Sequence, residues 1–166
     1  MNNNPLPKLL GLVLALFITC TTYAQLPETD ALLNQWHQAA AKSQLTDYFS
    51  MMSDDFVFVG TQADEVWNKT AFYEYSEPVF SKGKGWNMQL LIRNWYGDSS
   101  SGYMYFDELL DTQMGVCRGS GVFKKVNGKW KIAHYVLSLT IANDQVKSVL
   151  ELHQDHYKTL IKTYTP

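Results

Sequence analysis

The sequence predicts an α+β fold in which early helices cover one face of a largely antiparallel sheet. Three observations point there. Apolar residues recur at helical spacing near the start, a wholly apolar β-prone run from Phe56 to Val59 follows, and the second half links β-rich segments through turn signals.

In chain order, residues 28–43 read as a helix because Leu32, Leu33, Trp36, Ala39 and Ala40 share a face and Thr29 or Asp30 caps the start. A short helix over 46–52 packs Leu45, Tyr48, Phe49 and Met52, and Asp54-Asp55 breaks that pattern. Phe56–Val59, ending at Gly60, is a short buried strand. Asp64 and Glu65 open a helix over 64–80 that Pro78 should kink or end. A strand over 86–96 alternates Met88, Leu90 and Ile92 against Asn87, Gln89 and Arg93. Strands over 103–110, 115–126 and 129–141 come next. A tight turn in 111–114 joins the first two, and Asn127-Gly128, a dipeptide suited to positive φ, joins the last two. A helix over 143–164 closes the chain. A curved sheet covered by helices on one side encloses a cavity.

Residues 1–24 read as a secretory signal peptide, with Lys8, the apolar run Leu9 to Thr19 and a cleavage site at Thr22-Tyr23-Ala24. The competing reading is a lipoprotein signal ending at Cys20, for which Thr19 and Phe17 are poor flanking residues. The apolar run is short for a retained membrane span. The expected mature protein, 25–166, is a single domain with a C-terminal helix, secreted or periplasmic. Cys117 is then its only cysteine, so no internal disulfide forms. No metal site or cofactor motif is expected: His153 and His156 are three apart on a helix, a spacing far more common for solvated histidines. Lys8 is the only charged residue in the leader, so cleavage moves the net charge of −2 one unit further negative. With no basic stripe, neither nucleic acid nor, after cleavage, a membrane is an expected partner.

The element order, together with SDDFVFVG, the Glu65/Trp67 pair in ADEVWNKTAFYEY, and GVFKKVNGKWKIAHYVLS, resembles the SnoaL-like branch of the nuclear transport factor 2-like superfamily over about residues 28–145. The resemblance implies a cone-shaped, cystatin-like roll with a strongly bent antiparallel sheet, a pocket between its concave face and the first helices, and a homodimer through the outer sheet face. Ketosteroid isomerase shares this scaffold and needs a carboxylate base and two acidic donors. Counting from Asp54-Asp55 and from Gly128-Lys129 carries those three positions onto Gly60, Trp36 and Ser120, so none is preserved and no isomerase activity of that kind is expected. Whether the chain is an enzyme stays open.

The same register places Ser120 inward, and with it Arg118, Val122, Asp107, Tyr105 and Tyr103. Ala133, Tyr135 and Leu137 also face the pocket. Phe123, Lys125, His134, Val136 and Ser138 face outward. If Leu110 pairs with Gly115, Asp107 lies opposite Arg118 and the two form an ion pair in the cavity. The expected ligand-binding residues are therefore Trp36, Trp67, Tyr105, Asp107, Arg118, Ser120, Tyr135 and Leu137, for a small, partly apolar molecule with a polar head. The alternatives are a lyase- or isomerase-type enzyme with Asp107 or Glu65 as base beside Arg118, and a non-catalytic dimerising module. His37 is read as a surface residue and Cys117 as an outward-facing packed thiol.

Overall fold

The computed structural model describes residues 28–165; the expected leader lies outside them. Helices α1 (Glu28–Ala41) and α2 (Leu45–Ser50) come first, followed by β1 (Met52–Val59), β2 (Val66–Asn68), α3 (Lys69–Phe80) and β3 (Met88–Tyr96). Three long strands follow, β4 (Tyr103–Thr112), β5 (Gly115–Val126) and β6 (Lys129–Leu139), then α4 (Val146–Leu152) and α5 (Gln154–Tyr164). The six strands form one curved, unclosed sheet in the order β2-β1-β6-β5-β4-β3. The α+β class stands.

The local chemistry explains most boundaries. The Asn127-Gly128 turn has both residues at positive φ, 51° and 77°, as a two-residue hairpin between twisted strands requires. Asn68 caps α3 by accepting a hydrogen bond from Ala71 N at 2.9 Å, so the helix begins later than Asp64. The residues before it, Val66 and Trp67, are β-formers and pair with Val59 and Phe58 as β2. Pro78 stays inside α3, which ends two residues beyond it, where few helical bonds remain to be lost. The C-terminal helix is two helices separated at His153, and neither has a buried side chain.

Two features of the sheet depart from expectation. One pairing is parallel: β1 lies alongside β6, with Val57 beside His134 and Val59 beside Val136. In addition, β3 carries an irregularity between Leu90 and Ile92, where the pairing skips Leu91. One extra residue reverses the facing of everything after it. Leu91 and Ile92 are left exposed, while Arg93 and Trp95 turn inward.

The core fills the concave side. Leu33, Trp36 and Ala40 of α1 meet Tyr48, Phe56, Phe72, Phe123, Ile132 and Tyr135, all essentially inaccessible to solvent. Burial of each such aliphatic or phenyl side chain stabilises the fold by roughly 1.5–3 kcal/mol. Trp36 stacks on Tyr48 with ring centroids 4.7 Å apart and planes 10° from parallel.

Candidate functional site

The facing of β4 and β5 decides where polar groups meet. Along β4, Met104, Phe106, Glu108 and Leu110 are buried while Tyr103 and Tyr105 are exposed; along β5, Cys117, Gly119, Gly121 and Phe123 are buried. The residues expected inward, Tyr103, Tyr105, Asp107, Arg118, Ser120 and Val122, therefore lie on the outer face. Cys117 and Phe123 are inward instead; Lys125 stays exposed, with its ammonium over the Trp130 ring. Thr112 pairs with Gly115, so Asp107 opposes Ser120 and Arg118 opposes Leu109. That slip of two residues preserves facing; the inversion comes from anchoring the sheet on Ser120. Asp107 and Arg118 do form an ion pair, at 3.3 Å, but diagonally and in contact with solvent. Asp107 also accepts from Tyr96 O–H at 2.6 Å and Asn94 Nδ2 at 3.3 Å.

On β6 the expectation holds for Tyr135 and Leu137, which are buried, and for Val136 and Ser138, which pair with Ser120 and Arg118 on the outer face. Ala133 is not an inward partner. The pairing jumps from His134 to Ile132, making Ala133 the unpaired residue of a bulge.

Inside the cone, Glu108 is fully buried at the centre of a polar network. Its Oε1 accepts from His37 Nε2 and Tyr135 O–H, each at 2.8 Å, and its Oε2 accepts from Arg93 Nε at 2.9 Å. Arg93 Nη2 lies 2.8 Å from the same oxygen, without a well-aligned hydrogen bond. Arg93 Nη1 reaches Asp30 Oδ1 and Asn34 Oδ1 at 2.9 Å, and Trp95 Nε1 donates to Asp30 at 2.9 Å. An ionised carboxylate only accepts, so the His37 proton sits on Nε2. Burial alone would raise the Glu108 carboxyl, but His37 and Arg93 outweigh it and hold the group below its ordinary 4.5. Asp30 is likewise held below 3.8: burial opposes ionisation, and the Trp95 and Arg93 bonds overcome it. Tyr135 is pushed well above 10, first by burial and then by the Glu108 charge.

His37 is thus an interior residue, which corrects its surface assignment. Gly119 has no room for a side chain, because a Cβ there would run into the Tyr135 hydroxyl and Glu108 Cγ. The Glu108 carboxylate is saturated, while His37 Nδ1 and Arg93 Nη2 are buried without a hydrogen-bond partner among the described residues; Trp36 and Tyr135 belong to the core around it.

A ligand-sized space lies away from this network. A cavity of about 230 Å³ opens between α3, β2, the end of β1 and the β4–β5 turn. Its walls are aromatic: Phe58, Trp67, Phe72, Tyr75 and Trp86. Trp67 stacks on Tyr75 at 4.5 Å and Phe58 on Phe72 at 4.3 Å, so each ring is fixed by its neighbour. Leu137 and Met88 form the floor, and Gln113 and Met114 reach across from the hairpin turn. Glu65 is the only charged residue in the lining. It folds over Gly60, where any Cβ would collide with it, and its Oε2 accepts from Gln62 N at 3.0 Å. Gly60 N donates to Glu65 O at 2.8 Å, cinching the 60–65 loop into a fixed rim.

Of the residues expected to bind ligand, Trp67 and Leu137 line this cavity; of the three catalytic candidates, Asp107, Glu65 and Arg118, only Glu65 does. Tyr105, Asp107, Arg118 and Ser120 are on the far side of the sheet. Phe72 and Tyr75 fall inside the expected 64–80 helix and Trp86 at the start of the expected 86–96 strand, positions at which aromatic residues ordinarily pack a core. The signal for their site was the clustering of aromatics on both sides of a turn-rich segment, Lys82 to Gly85.

The sequence profile of the SnoaL-like domain matches residues 30–142. The chain belongs to this family. Among solved structures, this SnoaL-like domain is similar to a nuclear transport factor 2-like protein of unknown function from Pseudomonas putida, at 16% identity and TM-score 0.57 over 71% of this chain and 88% of that one. It is also similar to an uncharacterized cystatin-like protein from Caulobacter vibrioides, at 13% identity and TM-score 0.58 over 75% and 95% of the two chains. A third is a nuclear transport factor 2-like protein from Rhodospirillum rubrum, at 14% identity and TM-score 0.56 over 69% and 100%. These likenesses establish the fold alone. No curated protein matches the chain. The family match stops at residue 142, so α4 and α5 lie beyond it.

Proposed function

We propose that this SnoaL-like domain is exported and binds a small, partly apolar molecule in the aromatic cavity. The observation that carries the reading is the cavity itself: mutually stacked rings make a preformed apolar wall, and polar groups are confined to its rim at Glu65, Thr61 and Gln113. Preformed walls lower the ordering cost of binding. At about 230 Å³ the cavity is below the ~300 Å³ floor of drug-sized sites, which favours a small ligand.

A lyase- or isomerase-type activity is the second reading. It rests on Glu65, the one carboxylate at the cavity; Asp107 and Arg118 face the other way and leave that scheme without its oxyanion partner. The proposed dimer uses the outer face, where Ile92, Tyr96, Tyr103 and Tyr105 are exposed beside the Asp107–Arg118 pair.

The ligand reading is tested by NMR on the indole N–H resonances of Trp67 and Trp86 during titration with small aromatic solutes, charged and uncharged. Saturable movement of both resonances with any of them supports it. No movement up to millimolar concentration overturns it.

A further inference from the structure

Glu65 narrows the chemistry of the ligand. The cavity's lining contains this carboxylate and no lysine, arginine or histidine. Among the described residues, Glu65 Oε2 is engaged by Gln62 N, while Oε1 accepts no hydrogen bond. Trp67, Tyr75 and Trp86 share the lining with Glu65, Trp67 and Tyr75 being stacked on each other at 4.5 Å. Indole and phenol rings present negative potential on their faces and positive potential at their edges, so a cation is favoured by the carboxylate and by any ring face it meets.

Desolvation sharpens the point. An uncharged ligand without a donor strips water from Glu65 and returns nothing to the carboxylate, an uncharged donor returns a hydrogen bond but no charge, and an anion adds repulsion. An organic cation replaces the lost hydration with an ion pair and places its remaining surface on the rings. Gly60 keeps this arrangement possible, since any side chain there would displace Glu65 from the rim.

Resting on the proposed ligand-binding role of the cavity, we infer that the polar head of the ligand is a cation: an amine or quaternary ammonium on a small apolar or aromatic body, with its charge held at Glu65 and against Trp67.

Three probes of similar size test this: benzyltrimethylammonium, its uncharged carbon isostere neopentylbenzene, and phenylacetate. Affinities are read from the Trp67 and Trp86 resonances in the full folded chain. The cation should bind about tenfold or more tightly than its isostere, with phenylacetate weakest. Glu65→Gln, which keeps an acceptor for Gln62 N, should reduce the preference for the cation to about threefold or less. Equal or tighter binding of neopentylbenzene, or a cation preference unchanged in Glu65→Gln, overturns the inference and leaves the ligand-binding role standing. Failure of all three probes to move either resonance overturns both.

Discussion

Two adjacent carboxylates, Asp107 and Glu108, each pair with an arginine, yet they occupy opposite faces of the sheet and do different physical work. Glu108 and Arg93 have side chains 0% and 2% exposed, and the carboxylate is saturated by His37, Tyr135 and the guanidinium. Asp107 and Arg118 are 25% and 51% exposed and their contact is longer, at 3.3 Å. Water competes with the outer pair at every oxygen; for the inner pair no water is available to replace a lost partner. Two ion pairs one residue apart therefore differ severalfold in what their loss costs, and neither lines the cavity.

The largest effect should follow from breaking the inner pair. Glu108→Ala leaves Arg93 charged and buried, and urea unfolding should show a loss of roughly 3–5 kcal/mol. Replacing both partners, Glu108→Leu with Arg93→Met, should recover part of that loss, because it removes the uncompensated guanidinium but leaves Asp30 with only its Trp95 and Asn34 bonds. A double variant no more stable than Glu108→Ala would mean the network contributes beyond its charges.

Next in size is Gly119→Ala, whose new methyl must displace the Tyr135 hydroxyl. A cost of about 1–3 kcal/mol is expected, with the Tyr135–Glu108 bond lengthened in a crystal structure.

The inner network also sets the sign of the pH dependence. Glu108 and Asp30 are held below their ordinary values, 4.5 and 3.8, so the folded chain binds fewer protons than the unfolded one in mild acid. Their stabilisation is complete above the unfolded values and is lost as pH falls through the lowered folded ones. Unfolding free energy measured from pH 6 down to pH 2 should fall (about 4 is where the unfolded groups titrate), and the slope should be shallower in Glu108→Gln.

Smallest is the outer pair. Arg118→Ala should cost about 1 kcal/mol or less, and that cost should shrink further in high salt. A loss comparable to Glu108→Ala would erase the contrast between the two faces.

The same contrast explains what the sequence made legible. Hairpin turns, the extents of β4, β5 and β6 and the first helix follow local rules, because Asn127-Gly128 and the β-branched and aromatic runs act within a few residues. Strands β1, which begins at Met52 and not at Phe56, and β2, which replaces the expected start of a helix, do not. Facing does not follow from such rules when one bulge can invert it, and β3 and β6 each carry one, at Leu91 and Ala133. A signal for the correct facing was nonetheless present: Cys117, Gly119, Gly121 and Phe123 alternate small or apolar residues against Arg118, Ser120, Val122 and Lys124. Weighting that alternation over the isomerase register would have turned Glu108 inward. It would not have supplied His37, which reaches Glu108 from α1, 71 residues away, nor Arg93, which lies directly opposite Glu108 on β3 but turns inward only because of the irregularity at Leu91. The parallel β1–β6 pairing also depends on tertiary packing that no local pattern encodes.

The central claim is that ligand binding belongs to the aromatic cavity and not to the charged outer face. The most direct measurement compares the affinity of one small aromatic cation for Trp67→Leu and Arg118→Ala, with folding of both checked by urea unfolding. The account predicts that Trp67→Leu weakens binding by about tenfold or more, since it removes a ring face worth on the order of 1–2 kcal/mol, while Arg118→Ala stays within about twofold of the parent chain. Weakened binding in Arg118→Ala with full affinity retained in folded Trp67→Leu would contradict it.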